Sequence, residues 1–124
     1  MLKYALLVFI GGGAGSVARF ILGLKLNHVA QNIPYGTLLA NILGSLMIGL
    51  LFGFMGKSSY FNNNYYYLLA VGFCGGFTTF SSFAYEKLLF LRSGDLVNFF
   101  TYMFGTLFLG LAAVVLGLYI AKTI

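Results

Sequence analysis

Charge is what this chain has least of. Of 124 residues only 7% are charged, seven Lys or Arg against two Asp or Glu, where ordinary soluble domains carry roughly a quarter. Nine charged side chains cannot cover a water-soluble body of this size, so a soluble domain is excluded. Tryptophan is absent, and proline, cysteine and histidine occur once each. A single Cys74 cannot form an intrachain disulfide or a metal cluster, and in its apolar surroundings it reads as a small packing residue. The lone His28 has no Ser, Cys or acid cluster beside it, which argues against an enzyme. The net charge of +5 is carried by scattered single residues rather than a basic stripe, which excludes a nucleic-acid surface.

What remains is apolar. Hydrophobic residues make up 60% of the chain and the mean hydropathy is +0.96, the composition of an integral membrane protein. Nearly charge-free runs cover 4–24, 33–55, 65–85 and 96–121, and since about 20 residues cross a bilayer as a helix, four spans follow. The third is taken to continue to 91. Short polar connections at 25–32, 56–64 and 92–95 leave no room for an extramembrane domain, so 1–124 is expected to form one four-helix transmembrane domain. Pro34 suits the first turn of the second span and Asp95 the cap of the fourth. The runs lack the alternation of barrel strands. The 17 glycines point to close helix packing. Gly11-Gly12-Gly13-Ala14-Gly15-Ser16 misses the last glycine of a dinucleotide fingerprint and follows no expected strand, so no nucleotide site is read there. Lys3 ahead of an apolar run imitates a signal peptide, but the run is long and more membrane follows, so it is expected to stay uncleaved.

In hydrocarbon a polar side chain must find a partner or line a wet path, which makes the few polar residues inside spans the informative ones. On the second span Thr37, Asn41 and Ser45 recur every four residues and continue as Gly49 and Gly53. On the fourth, Asn98, Tyr102 and Thr106 repeat that spacing into Gly110. Either stripe serves as helix glue or as the lining of a path. The third span holds Gly72-Phe73-Cys74-Gly75-Gly76-Phe77-Thr78-Thr79-Phe80-Ser81-Ser82-Phe83, where adjacent glycines and four hydroxyls weaken a helix, so a break is expected near 75–79. Such breaks free backbone carbonyls that a cation or water then satisfies. Glu86 is two turns further on and is followed by Lys87, so the two could neutralise each other near the interface. After the break Phe80 and Phe83 share one face, and Thr79, Ser82 and Glu86 another. Ring edges are positive, and beside hydroxyl and amide donors they suit a small desolvated anion. No lysine or arginine is central in any span, which avoids trapping an ion that must also leave. Arg19 supplies vestibule attraction or snorkels to headgroups.

Three motifs then carry a resemblance over nearly the whole chain: Gly11-Gly12-x-x-Gly15-Ser16-x-x-Arg19-Phe20, Gly36-Thr37-Leu38-x-x-Asn41-x-x-Gly44-Ser45, and the Gly72 to Phe83 stretch extended to Glu86. The chain resembles the CrcB/Fluc fluoride ion channels. That resemblance implies a dual-topology homodimer of two antiparallel four-helix subunits in the cell (inner) membrane. It also implies two fluoride pores and a structural sodium ion at the dimer centre. Fluoride would leave the cell passively, lowering its toxicity, with no nucleotide and no nucleic acid involved. By motif position Gly75 and Thr78 would offer carbonyls to sodium, and Phe80 and Phe83 would line the pore. Asn41 would place its amide near the vestibule, and Tyr102, Thr106, Ser81 and Thr37 would add hydroxyls. Ser82 stands where Thr is common in the family, and Gly110 where some relatives carry a hydroxyl.

The rival class is a proton-coupled exporter, which needs an intramembrane acid; the first two spans have none and Glu86 is the one candidate. A purely structural membrane subunit is a third option. Loop charge gives an expectation of its own. With the N-terminus inside, Lys3, Lys57 and Lys122 face Arg19, Lys25, Lys87 and Arg92 across the membrane, a bias of one charge, so the chain should insert both ways.

Overall fold

Residues 1–27, 33–59 and 61–124 are described in a computed structural model; the reading of His28 as a lone loop residue lies outside them. Among the described residues there are four helical spans: α1 (Leu2–Leu26), α2 (Tyr35–Met55), a composite third span (Asn63–Ser93) and α6 (Leu96–Thr123), each long and apolar enough to cross a membrane. The composite span runs through α3 (Asn63–Tyr65), a π-helical segment (Tyr66–Cys74), α4 (Gly75–Phe77) and α5 (Ser81–Ser93). With large apolar side chains such as Phe9, Phe20, Phe108 and Tyr119 exposed along the outside and no water to satisfy a bare backbone, helices are the form that such a chain must take.

The helix ends follow local chemistry. Pro34 is not in the first turn of α2 as the sequence suggested; it is the N-cap, with φ −76° and ψ 82°, and its carbonyl accepts from Leu38 N–H at 3.1 Å. Lacking an N–H, proline loses nothing there. Asp95 caps α6, its Oδ1 accepting from Asn98 N–H at 3.1 Å and its Oδ2 from Asn98 Nδ2 at 2.7 Å, which satisfies one of the orphan amides that every helix start leaves. Gly94 ends α5 at φ +73°, a left-handed conformation that a Cβ disfavours.

Glycine sets the packing. A methyl group on Gly11 would collide with the Leu68 carbonyl, and one on Gly15 with the Phe73 carbonyl, so α1 lies against the π-helical segment backbone to backbone. The same holds for α2 on α6, where Gly49 faces the Val114 carbonyl and Gly53 the Ala121 side chain. Without a hydrophobic drive between helices in lipid, such close approach is what gives dispersion and polar contacts their strength. The polar stripe of α2 therefore divides: its lower half packs on α6, and its upper half turns toward the break in the third span.

The break covers Thr78–Phe80, between α4 and α5. It overlaps the expected 75–79 only at its end, because Gly75 and Gly76 remain helical. Gly76 is held against the Gly12 carbonyl, where no side chain fits. Thr78 has φ −84° and ψ 155°, extended backbone that cannot continue a helix.

Candidate functional site

Three side chains from two other helices, and two threonines of the break itself, take up the bonds that the break releases. In an unbroken helix the Gly75 carbonyl would accept from Thr79 N–H and the Thr78 carbonyl from Ser82 N–H. Instead Thr79 N–H donates to Asn41 Oδ1 at 2.8 Å, and Ser82 N–H donates to Thr79 Oγ1 at 3.2 Å. Asn41 Nδ2 returns a bond to the Thr79 carbonyl at 3.1 Å. A single α2 amide thus clamps both polar groups of one extended residue. The Gly76 carbonyl accepts from Arg19 Nε at 3.1 Å and from Ser16 Oγ at 3.5 Å. Arg19 therefore reaches the break rather than the headgroups, and its guanidinium also lines a cleft. The Thr78 hydroxyl donates back to the Cys74 carbonyl at 2.8 Å.

The carbonyls of Gly75 and Thr78 have thus lost their helical donors, and a methyl placed on Gly75 would meet nothing within 4 Å. Backbone oxygens freed of their helical donors are ligands of the kind that hard cations take. Among the described residues no group of three or more His, Cys, Asp or Glu could hold a metal ion, so any cation here is a carbonyl ligand case.

Two clefts follow one another along α2. The first, about 560 Å³, is lined by Arg19, Asn27, Thr37, Ser81, Ser82 and Glu86, among others. The second, about 340 Å³, is lined by Asn41, Ser45, Thr79, Phe80, Phe83 and Thr106, among others. Thr37 and Asn41 are one turn apart, about 6 Å of rise. In the second cleft Phe80 is 79% exposed and Phe83 8% exposed, with ring centroids 6.1 Å apart at 47°. Thr106 Oγ1 is buried there without a hydrogen-bond partner. A hydroxyl stranded in this way costs about 1–3 kcal/mol, which a polar occupant of the cleft would recover. Ser45 Oγ donates to the Asn41 carbonyl at 2.7 Å, and Ser81 Oγ lies 3.3 Å from Thr79 Oγ1.

Glu86 stands in the wall of the first cleft. Its carboxylate accepts from Thr37 Oγ1 at 3.0 Å and from Tyr102 OH at 3.1 Å, tying α5 to α2 and α6. Tyr102 is 2% exposed and its ring centroid lies 5.1 Å from that of Phe83. The expected mutual neutralisation of Glu86 and Lys87 is not what forms. Neighbours in a helix point about 100° apart, so when Glu86 faces Thr37 and Tyr102, Lys87 swings to α6, where its Nζ donates to the Phe99 carbonyl at 2.8 Å. The candidate residues thus fall into two groups: Thr37, Ser81, Arg19 and Glu86 at one cleft, and Asn41, Thr78, Phe80, Phe83 and Thr106 at the other. Tyr102 lines neither and connects them. Gly75 stands at the head of the break.

Fold and site together define a multi-pass α-helical membrane protein with a helix broken inside its spans and donor-lined clefts beside the break. Comparison with known proteins narrows this class. Residues 6–118 match the family model described as "CrcB-like protein, Camphor Resistance (CrcB)". The chain is 47% identical over 118 residues to the fluoride-specific ion channel FluC of Gloeothece citriformis, covering 94% of this chain and 95% of that one. It is 41% identical over 122 residues to the FluC of Phocaeicola vulgatus, covering 98% and 100%. The FluC of Pectobacterium carotovorum is 46% identical over 96 residues, covering 77% and 76%. The chain belongs to the CrcB-like family.

Proposed function

We propose that this chain is the subunit of a fluoride-selective passive ion channel that releases fluoride from the cell and so lowers its toxicity there. The observation that carries the reading is the second cleft, whose lining brings together Phe80, Phe83 and Thr106, the last with a buried hydroxyl that has no partner. Fluoride holds its water tightly, so a pore must return many weak favourable contacts as hydration is shed. Positive ring edges and hydroxyl donors do this without a direct ion pair, which keeps each site weak enough to leave. Ser81 and the second amide hydrogen of Asn41 supply further donors near the clefts, while the Thr37 and Tyr102 hydroxyls hold Glu86 beside the path. The relatives named fluoride-specific ion channels support the choice of ion. Channel activity, rather than enzymatic turnover, is the reading for the whole chain.

The subunit would work as an antiparallel homodimer. Its loop charge supports this: Arg19 is engaged with the Gly76 carbonyl and Lys87 with the Phe99 carbonyl. The loop cations then number three on one side, Lys3, Lys57 and Lys122, and two on the other, Lys25 and Arg92. A bias of one charge leaves orientation unfixed. A two-fold axis in the membrane plane would bring both breaks together in a closed, isologous pair. The Gly75 and Thr78 carbonyls of both subunits would then hold a structural sodium ion, which when bound supplies a fixed charge that satisfies those oxygens. Gly75 keeps that face open, and Asn41 holds Thr79 extended so that the Thr78 carbonyl stays free of its helix.

The test is to reconstitute the purified chain alone in liposomes and record fluoride and chloride efflux with electrodes. Rapid fluoride release with negligible chloride release is expected. Equal rates would end the selectivity claim, and fluoride driven uphill by a proton gradient would favour an exchanger using Glu86. For topology, C-terminal reporters active on one side only should signal on both sides; a signal from one side, unmoved by changing Lys57, would end the antiparallel reading.

A further inference from the structure

Lys87 is a cation that the pathway described above leaves unused. It lies in α5 at 8% exposure, inside the third span, where a lysine ordinarily snorkels its ammonium to the headgroups. Here the ammonium turns inward. Nζ donates to the Phe99 carbonyl at 2.8 Å, sits over the Phe99 ring 3.5 Å from its centroid, and lies over the Phe83 ring 5.5 Å from its centroid. Neither carboxylate of the chain meets it, since Glu86 accepts from Thr37 and Tyr102 and Asp95 accepts from Asn98. The charge is therefore fixed among ring faces and one carbonyl, with no carboxylate paired directly to it; Glu86 spends its own oxygens on Thr37 and Tyr102.

Its position relative to Phe83 gives that field a direction. The face of an aromatic ring is negative and its edge positive. A cation over the face is attracted to it, and it draws the ring's electrons toward itself, leaving the edge more positive. Phe83 lines the second cleft. We propose that Lys87 is a fixed positive charge beside the second cleft, a positioning residue that sets the affinity for fluoride through the Phe83 ring. This rests on the fluoride-channel reading. One ring stands between the ammonium and the cleft, so the anion is attracted without forming an ion pair that would hold it. Because the attraction is between whole charges, it strengthens the binding of any small anion and leaves selectivity to the donors and the cleft walls.

The experiment measures fluoride flux against fluoride concentration for the wild type and for Lys87→Arg, Lys87→Gln and Lys87→Met in liposomes. Glutamine keeps a donor for the Phe99 carbonyl, methionine keeps the apolar stem, and arginine keeps the charge. At an effective dielectric near 20, a unit charge some 8–10 Å from the ion is worth roughly 20-fold in binding. Both neutral variants should therefore need roughly 20-fold more fluoride for half-maximal flux, with the fluoride-to-chloride ratio unchanged and Lys87→Arg close to the wild type. Half-saturation unchanged in either neutral variant would overturn the proposal. So would the failure of both neutral variants to fold while Lys87→Arg folds but shows shifted half-saturation, which would make Lys87 a strut between α5 and α6. A wild type that carries no fluoride defeats the channel reading itself, a separate result from normal wild-type flux with indifferent variants.

Discussion

Replacing Asn41 with alanine removes both bonds that hold Thr79 extended, one accepted from its N–H at 2.8 Å and one donated to its carbonyl at 3.1 Å. Each stranded buried polar group costs about 1–3 kcal/mol, while single hydrogen bonds between membrane helices average nearer about 0.6 kcal/mol. Two groups at the one extreme give about 6 kcal/mol, and at the other about 1 kcal/mol. The adjoining cleft of about 340 Å³ has room for water, which would take over part of this, so a loss of about 2 kcal/mol is expected. Equilibrium unfolding in mixed micelles reads that loss directly. The consequence for flux is separate. Thr79 precedes Phe80, so once the clamp is gone the ring samples several positions, and fluoride efflux from liposomes should fall by about tenfold, the equivalent of about 1.4 kcal/mol of barrier. Stability within about 0.5 kcal/mol of the wild type, below what two independent bonds should give, would show that the clamp does not hold the break.

Phe80→Ile and Phe83→Ile keep an apolar side chain but remove the positive edge, so both should reduce fluoride flux severely; buried Phe83 should also lose about 1 kcal/mol of stability where exposed Phe80 loses little. Normal conduction by both variants, measured in the same liposomes, would make the rings mere packing. Tyr102→Phe leaves Glu86 with Thr37 as its remaining donor and should cost about 1–3 kcal/mol in micelle unfolding; no change would mean that water already serves the carboxylate. Gly49→Val places a branched side chain against the Val114 carbonyl and should separate α2 from α6 at a cost of about 1–3 kcal/mol or more. Unaltered yield and unfolding would refute the close approach.

The spans were legible because hydrocarbon leaves a simple signature. The apolar runs 4–24 and 96–121 lie within helices Leu2–Leu26 and Leu96–Thr123, and 33–55 differs from Tyr35–Met55 only at Ile33 and Pro34. The break was read a little early. Adjacent glycines looked like the weak point, yet packing against Gly12 keeps Gly76 helical, and the rupture comes where Asn41 captures Thr79. That capture joins residues 38 apart in sequence, which no local pattern reveals. The polar stripes of α2 and α6 were visible, but their meeting at Glu86 joins Thr37 and Tyr102 from 49 and 16 residues away. The engagement of Arg19 with the Gly76 carbonyl was hidden in the same way. The direction of Lys87 was misread because adjacency in sequence is not adjacency in space on a helix.

The π-helical segment Tyr66–Cys74 bears on how a chain of this kind can change length. Each wide turn houses one more residue than an α turn while keeping its backbone bonded within the helix. The segment therefore stores slack. Losing one residue there lets the ladder contract to an ordinary α turn with no polar group bared to lipid, whereas the same loss in α1 or α2 would rotate every later glycine out of its contact. Loss of one residue from the third span would be absorbed best between Tyr66 and Cys74, away from the Leu68, Gly72 and Phe73 contacts with α1, leaving Asn41 to find Thr79 at an unchanged depth.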